Sequence, residues 1–239
     1  NNNVRLAIAK SLNRGLISDK VSYGLRQPSR SLVPPIYKKN NQELWPEYDP
    51  IEAKMLLQNE GYCNGNILEI PLTYRSNVPA DKLIALFWQD DIKNILNECI
   101  KIRLNGVEST TIYKNLNLGI YTAVILDWTG PYSDPEAYLT PLLSCTDLIG
   151  ENCKKGESVY SGSFWGSNKV QKLFLQSENL NGKERLSKLI ELETIASKSI
   201  PYIPIWISSQ KAWSQNQVSK PTFNGAGIIS MSDLKLIYE

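Results

Sequence analysis

Between Ile67 and Leu126 the hydrophobic period of the chain changes four times, and this constrains the fold more than any other feature. Ile67 to Tyr74 alternates apolar with other residues, the pattern of a strand. Pro79-Ala80-Asp81 then opens a long helical stretch. Ile84, Trp88, Ile92 and Ile95 lie on one stripe of it, with Leu83, Phe87 and Leu96 beside them. Ile100 to Leu104 reads as a second strand and Ser109 to Asn115 as a short helix. Ile120 to Leu126 is nearly all apolar and is expected to be a central strand covered on both faces. Strand, helix, strand, helix, strand implies parallel pairing through right-handed crossovers. The expected class is α/β, with a mainly parallel central sheet flanked by helices.

Helical patterns stand on both sides of this unit. Val4, Ala7, Ile8, Leu12 and Leu16 define an amphipathic first helix that is expected to end near Arg14-Gly15. Ser22 to Trp45 carries Pro28, Pro34 and Pro35 without periodicity and reads as loop. Asp49-Pro50 starts a helix, because Asp49 can accept from the free amides and Pro50 suits the first helical position. Ala53, Leu56 and Leu57 face its core, and Gly61-Tyr62 closes it. After the third strand come a short helix at 135–143 and a polar, glycine-rich loop at 150–167. Helices follow around 169–176 and 183–198. Ile200 to Ile207 is a strand broken by Pro201 and Pro204, near an edge or a crossing point. Leu234 to Tyr238 is expected to form a last short strand. The chain opens at Asn1 straight into a helical pattern with no strand before it, as an excised fragment would.

Composition removes several function classes. Histidine is absent, which takes away the commonest general base and metal ligand. The adjacent Asp90 and Asp91 diverge on a helix, and there is neither a Gly-x-Ser-x-Gly elbow nor a glycine-rich phosphate loop. No catalytic residue, metal site or cofactor is expected. A net charge of +2, spread along the chain, argues against a nucleic-acid partner. No apolar stretch is long enough to span a bilayer. Of the four cysteines, Cys63 and Cys99 each precede a predicted strand, and Cys145 and Cys153 bracket a short polar loop. They are either two disulfides, 63–99 and 145–153, made in an export compartment, or four buried thiols in a reducing one.

The chemistry concentrates at Leu126 to Pro135, where an apolar strand stops at Trp128, turns, and enters a helix start. In open α/β sheets, ligands bind beyond the carboxyl ends of the strands. Trp128 is therefore either a ligand contact or a core tryptophan sealing the strand end. Thr129 can offer a hydroxyl and an amide. Tyr74, Arg75 and Ser76 end the first strand on the same edge, and Arg75 either meets a ligand carboxylate or is solvated. Tyr160 and Trp165, in the later loop, either flank the cleft or pack that loop onto the domain. Asp134, before Pro135 and Glu136, reads as a helix cap.

Five segments in order resemble one family. Val4-Arg5-Leu6-Ala7-Ile8-Ala9-Lys10-Ser11-Leu12-Asn13-Arg14 is similar to its opening helix, and Ser31-Leu32-Val33-Pro34-Pro35 to its loop before a proline pair. Tyr48-Asp49-Pro50-Ile51-Glu52-Ala53-Lys54-Met55-Leu56-Leu57 with Gly61-Tyr62, Trp128 with Asp134-Pro135, and Ile203-Pro204-Ile205-Trp206 resemble three further landmarks. The family is the extracellular solute-binding proteins of the oligopeptide, dipeptide and nickel ABC importers, solute-binding family 5. The resemblance implies a type II periplasmic-binding-protein-like lobe. Residues 1–208 would be the second lobe, and 209–239 a tail that crosses back to an absent first lobe. It implies a periplasmic or extracytoplasmic protein, either free or membrane-anchored in its full-length form. A small peptide-like or other organic ligand would be held between two lobes and delivered to a membrane permease. The alternatives are a nickel-chelate or other metal-complex binder of the same family, or a non-transport interaction module. In peptide-binding members an aspartate three residues after the turn tryptophan resembles an anchor for the ligand's α-amino group. Pro131 stands there, which argues against that recognition. The spacing of Trp128 and Tyr132 resembles the nickel-chelate branch instead and implies that both line the cleft. The bland reading of Tyr132 is an exposed turn residue.

Overall fold

The computed structural model describes residues 1–38, 43–224 and 227–237. Residues 39–42 of the expected loop, and Tyr238 of the expected last strand, lie outside them. The chain opens with two helices, α1 (Asn2–Lys10) and α2 (Arg14–Ser22), rather than one. Asn13 makes the break, because its side chain accepts from the Leu16 amide at 3.0 Å and caps α2. Gly15 therefore sits in the first turn of a helix and does not end one. The two-residue strand β1 (Gln27–Pro28) follows, and then α3 (Pro50–Asn59), which begins as its sequence demands. Asp49 accepts from the Glu52 amide at 2.9 Å, and Pro50 occupies the first turn.

The central unit is β2 (Leu68–Arg75), α4 (Pro79–Ile95), β3 (Ile100–Val107), α5 (Ser109–Asn115) and β4 (Ala123–Val124). Both pairings are parallel, in the order β3-β2-β4, with Leu68 opposite Ile100 and Leu72 opposite Ala123. The expected central strand at 120–126 is thus a two-residue edge strand, and β2 is the centre. Ile120 is exposed, and only Ile125 of that run is fully buried. Such a run stays apolar for cover by helices on both faces of a sheet, and here the sheet ends beside β2 and leaves Ile120 to solvent. Ile84, Trp88 and Ile92 of α4 are buried with Ile70, Leu72, Ile100 and Ile102 of the sheet, so the helical stripe packs onto the sheet.

Beyond β4 come α6 (Thr140–Leu143), the hairpin β5 (Asp147–Ile149) and β6 (Asn152–Lys155), and the single turn α7 (Glu157–Tyr160). The segment read as loop at 150–167 thus contains a strand and a helical turn. The Cys145–Cys153 disulfide closes this hairpin, and its short, polar strands carry no alternation that would announce them. Helices α8 (Asn168–Glu178) and α9 (Gly182–Ser199) match their sequence patterns. The expected strand at 200–207 shortens to β7 (Trp206–Ile207), which pairs antiparallel with β1 outside the central sheet. Near the end, Leu236 makes only an isolated bridge to Val218.

Two apolar cores result. One lies between the sheet and helices α1 to α4, and the other gathers α6, α8 and α9 around Val33, Trp45 and Trp165. Helix α1 serves both, with Ala7 in the first and Ala9 in the second. Cys63 and Cys99 are bonded, the disulfide of the two alternatives, and tie the amino ends of β2 and β3 together. That bond lies at the opposite edge of the sheet from the strand ends that carry Arg75 and Asp127.

Candidate functional site at the carboxyl edge of the sheet

β2, β3 and β4 all end on one edge, and the next residues of each form the candidate site. Trp128 follows β4. Its indole Nε1 donates to the Ala137 carbonyl at 2.8 Å, while the side chain stays 45% exposed. The polar end is thus fastened and the ring remains available. Gly130 makes the turn possible, since a Cβ there would come 2.8 Å from the Tyr138 ring. Asp134 accepts from the Glu136 amide at 2.8 Å, the cap its sequence predicts. Its other oxygen takes Arg185 Nη1 at 2.7 Å, and Glu136 takes Arg185 Nη2, so α9 holds the turn from outside. Tyr132 leaves this turn 51% exposed. Burial first, then Glu136 and Asp134, raises its phenol above the usual value, so it is a neutral donor at physiological pH. Thr129 and Pro131 are exposed beside it.

The end of β2 carries a charged cluster. Arg75 is 6% exposed and binds Asp81 twice, Nε to Oδ2 at 2.6 Å and Nη2 to Oδ1 at 3.0 Å. Its Nη1 reaches both Asp127 and the Tyr113 hydroxyl, the latter at 3.0 Å. Hydrogen bonding to Asp81, the largest of several effects, raises the guanidinium above its already high value. Four of its donors are therefore committed within the protein, so Arg75 is neither the solvated side chain nor the free ligand partner that the two readings offered, but is paired internally. Ser76 is exposed, and its amide donates to Val107 at 2.8 Å. Tyr74 faces Gly106 across the register, and a Cβ at Gly106 would lie 2.8 Å from its hydroxyl, so the glycine admits the ring.

Trp165 is not on this edge. It is 6% exposed in the second core, and the reading that packs its loop onto the domain is the one observed. Tyr160 is exposed. Sequence reasoning missed Asp127, Asp81, Tyr113 and Arg185. Asp127 adjoins Trp128 in the chain, but its partner Arg75 is 52 residues away, a proximity no local pattern carries. Among the described residues, no group of three or more Asp, Glu, Cys or His side chains could hold a metal ion. Among the described residues, no helix is long and apolar enough to cross a membrane.

Solved structures place this architecture in a class. The dipeptide-binding protein from Pseudoalteromonas sp. SM9913, in complex with Met-Leu, superposes with a TM-score of 0.78 at 22% identity, covering 99% of this chain and 45% of the other. OppA from Burkholderia pseudomallei gives 0.77 at 21%, covering 100% and 46%. The fold is that of the type II periplasmic binding proteins. Residues 1–149 match the profile of the bacterial extracellular solute-binding proteins, family 5 (middle), and the chain belongs to that family. Haem-binding protein A of Haemophilus influenzae is 27% identical over 210 residues, and a dipeptide-binding protein of Pseudomonas aeruginosa is 27% identical over 208. Each match covers 84% of this chain but 36% of the relative, so the chain spans little more than a third of the length of these relatives.

Proposed function

We propose that this chain is the second lobe, residues 1–208 with the tail 209–239, of the substrate-binding component of an ABC importer. That component captures a peptide-like or other small organic ligand between two lobes and hands it to a membrane permease; it catalyses no reaction. The observation that carries this reading is that Trp128 and Tyr132, in the turn beyond the carboxyl edge of a parallel sheet, are each about half exposed, where open α/β sheets receive ligands. Trp128 offers a ring face, Tyr132 a face and a neutral hydroxyl, and Thr129 an exposed hydroxyl and amide. Tyr74 and Ser76 stand at the end of the neighbouring strand. Two disulfides suit an extracytoplasmic protein.

A second reading is a flat metal complex, taken whole. Open aromatic faces favour it, and one relative is named for haem. With no histidine in the chain, such a complex would be held by stacking and not by ligation from this lobe.

The test is ligand-dependent thermal stabilisation of the full-length protein, with native mass spectrometry of material from its source to catch a retained ligand. Trp128→Ala should weaken that binding by about 1–3 kcal/mol, the scale of a buried aromatic contact. Unchanged affinity in calorimetry would remove Trp128 from the ligand wall.

A further inference from the structure

The indole of Trp128 is held by a carbonyl, and that carbonyl is held from another element. Trp128 Nε1 donates to Ala137 at 2.8 Å, so the pose of the ring follows the position of Ala137. Ala137 is fully buried in the 3₁₀ turn Pro135–Tyr138, and its amide donates to the Asp134 carbonyl at 3.1 Å. Asp134 and Glu136 frame this turn, and each commits one carboxylate oxygen locally. Asp134 Oδ1 accepts from the Glu136 amide at 2.8 Å, and Glu136 Oε1 accepts from the Thr140 hydroxyl at 3.3 Å. The remaining oxygens, Asp134 Oδ2 and Glu136 Oε2, both go to Arg185 on α9.

One guanidinium thus bridges two carboxylates that would otherwise repel each other, Nη1 on Asp134 at 2.7 Å and Nη2 on Glu136. The three side chains are only 21–30% exposed, so the pairing is screened less than a surface one. The fork matters, because two nitrogens of a planar group fix the spacing of the carboxylates as a point charge would not. Helix α9 is itself anchored, with Leu189 and Leu192 buried in the second core. The other end of the Trp128 turn is tied to the sheet, where Asp127 pairs with Arg75. The turn is therefore fastened to the sheet at one end and to α9 at the other, and the indole is bonded to the α9 end. The charges of Glu136, Asp134 and Arg185 also act on the Tyr132 phenol, so the second aromatic of the site lies within the field of the same group.

We propose that Arg185 is a positioning residue of the candidate site: through Asp134 and Glu136 it fixes the turn whose Ala137 carbonyl holds the Trp128 ring. The proposal rests on the solute-binding reading above for the use made of that ring, and not for its geometry.

The experiment follows hydrogen exchange at the tryptophan indoles of the full-length protein by NMR, with the Trp128 signal assigned from Trp128→Phe. Trp45 is the internal control, since its Nε1 donates to the Tyr202 carbonyl at 2.7 Å in the second core and does not depend on Arg185. Arg185→Gln should speed exchange at Trp128 by roughly ten- to a hundredfold, the range of one charge-assisted hydrogen bond, and leave Trp45 unchanged. Arg185→Lys keeps the charge without the fork and should give a smaller increase at Trp128 alone. A Trp128 rate unmoved by Arg185→Gln overturns the assignment. Equal acceleration at Trp128 and Trp45 also overturns it, because that is general loosening and not positioning. Whether the ring meets a solute is decided separately by the affinity of Trp128→Ala, so failure of the positioning role and failure of the solute-binding reading remain distinguishable.

Discussion

At Trp128 one side chain meets two demands that separate cleanly. Its N–H would be costly to leave without a partner, and Ala137 satisfies it; the rest of the ring is left for whatever occupies the edge. Asp91 shows the opposite, a polar atom the fold leaves over. Its Oδ2 is buried with no partner among the described residues. Burial, and then the neighbouring Asp90, raises its carboxyl above the usual value. The folded state therefore holds this proton more tightly than the unfolded chain does. The contribution is complete below the unfolded pKa of about 4 and is lost as pH rises through the raised folded value. Asp91→Asn should accordingly raise the melting temperature at neutral pH by about 1–3 °C and leave it nearly unchanged at about pH 4. Melting curves of both proteins across that range check it, and equal curves at neutral pH would contradict it.

Elements here are held by a few long-range ties as well as by apolar burial. Glu193 of α9 is fully buried. Its Oε1 accepts from Ser31 Oγ at 2.7 Å and from the Leu32 and Val33 amides at 2.8 and 3.2 Å, and its Oε2 meets Lys38 Nζ at 2.5 Å. One carboxylate thus fastens the loop after β1 to the second core. Glu193→Ala should cost about 3–5 kcal/mol, because it removes a buried carboxylate that pairs with the Lys38 ammonium and accepts from three donors. The double variant Lys38→Met/Glu193→Leu should recover part of that loss in urea unfolding. The disulfides act through the unfolded chain. By loop entropy, Cys63–Cys99, separated by 36 residues, should contribute about 3–4 kcal/mol, and Cys145–Cys153, separated by 8, about 2–3. Paired serine variants compared by denaturant midpoint should rank in that order.

Across the whole molecule, residues 1–207 form the two cores, and the segment after Ile207 differs in kind. Trp213, Ile228, Met231 and Leu236 are exposed. Backbone hydrogen bonds described within 215–237, such as Ser219 to Lys235 at 2.8 Å and Ile237 to Gln217 at 2.8 Å, tie that segment to itself. A strap of outward apolar side chains suits the proposed return to a first lobe. Limited proteolysis of this chain alone should cut between residues 208 and 237 well before 1–207, with the trimmed product melting at nearly the same temperature. Protection of that segment until global unfolding would show that it belongs to the folded body.

Most helices were legible because their information is local, although the break between α1 and α2 and the single turn α7 were not. Asp49 and Pro50 start α3, Ser109 to Asn115 is α5, and the Ile84, Trp88 and Ile92 stripe of α4 reaches the core, all from spacing and caps a few residues long. The β-α-β order likewise fixed the parallel pairing of β2 and β3, and with it the Cys63–Cys99 neighbourhood. Tertiary structure decided the rest, since it depends on which distant groups become neighbours. It made 120–126 an edge rather than a centre, drew Trp165 inward, and closed Arg75 on Asp81. It also set Asp127 against Arg75, 52 residues away in the chain, and left its side chain mostly exposed. A sequence records that charge, but only the arrangement of neighbours decides whether it is cancelled.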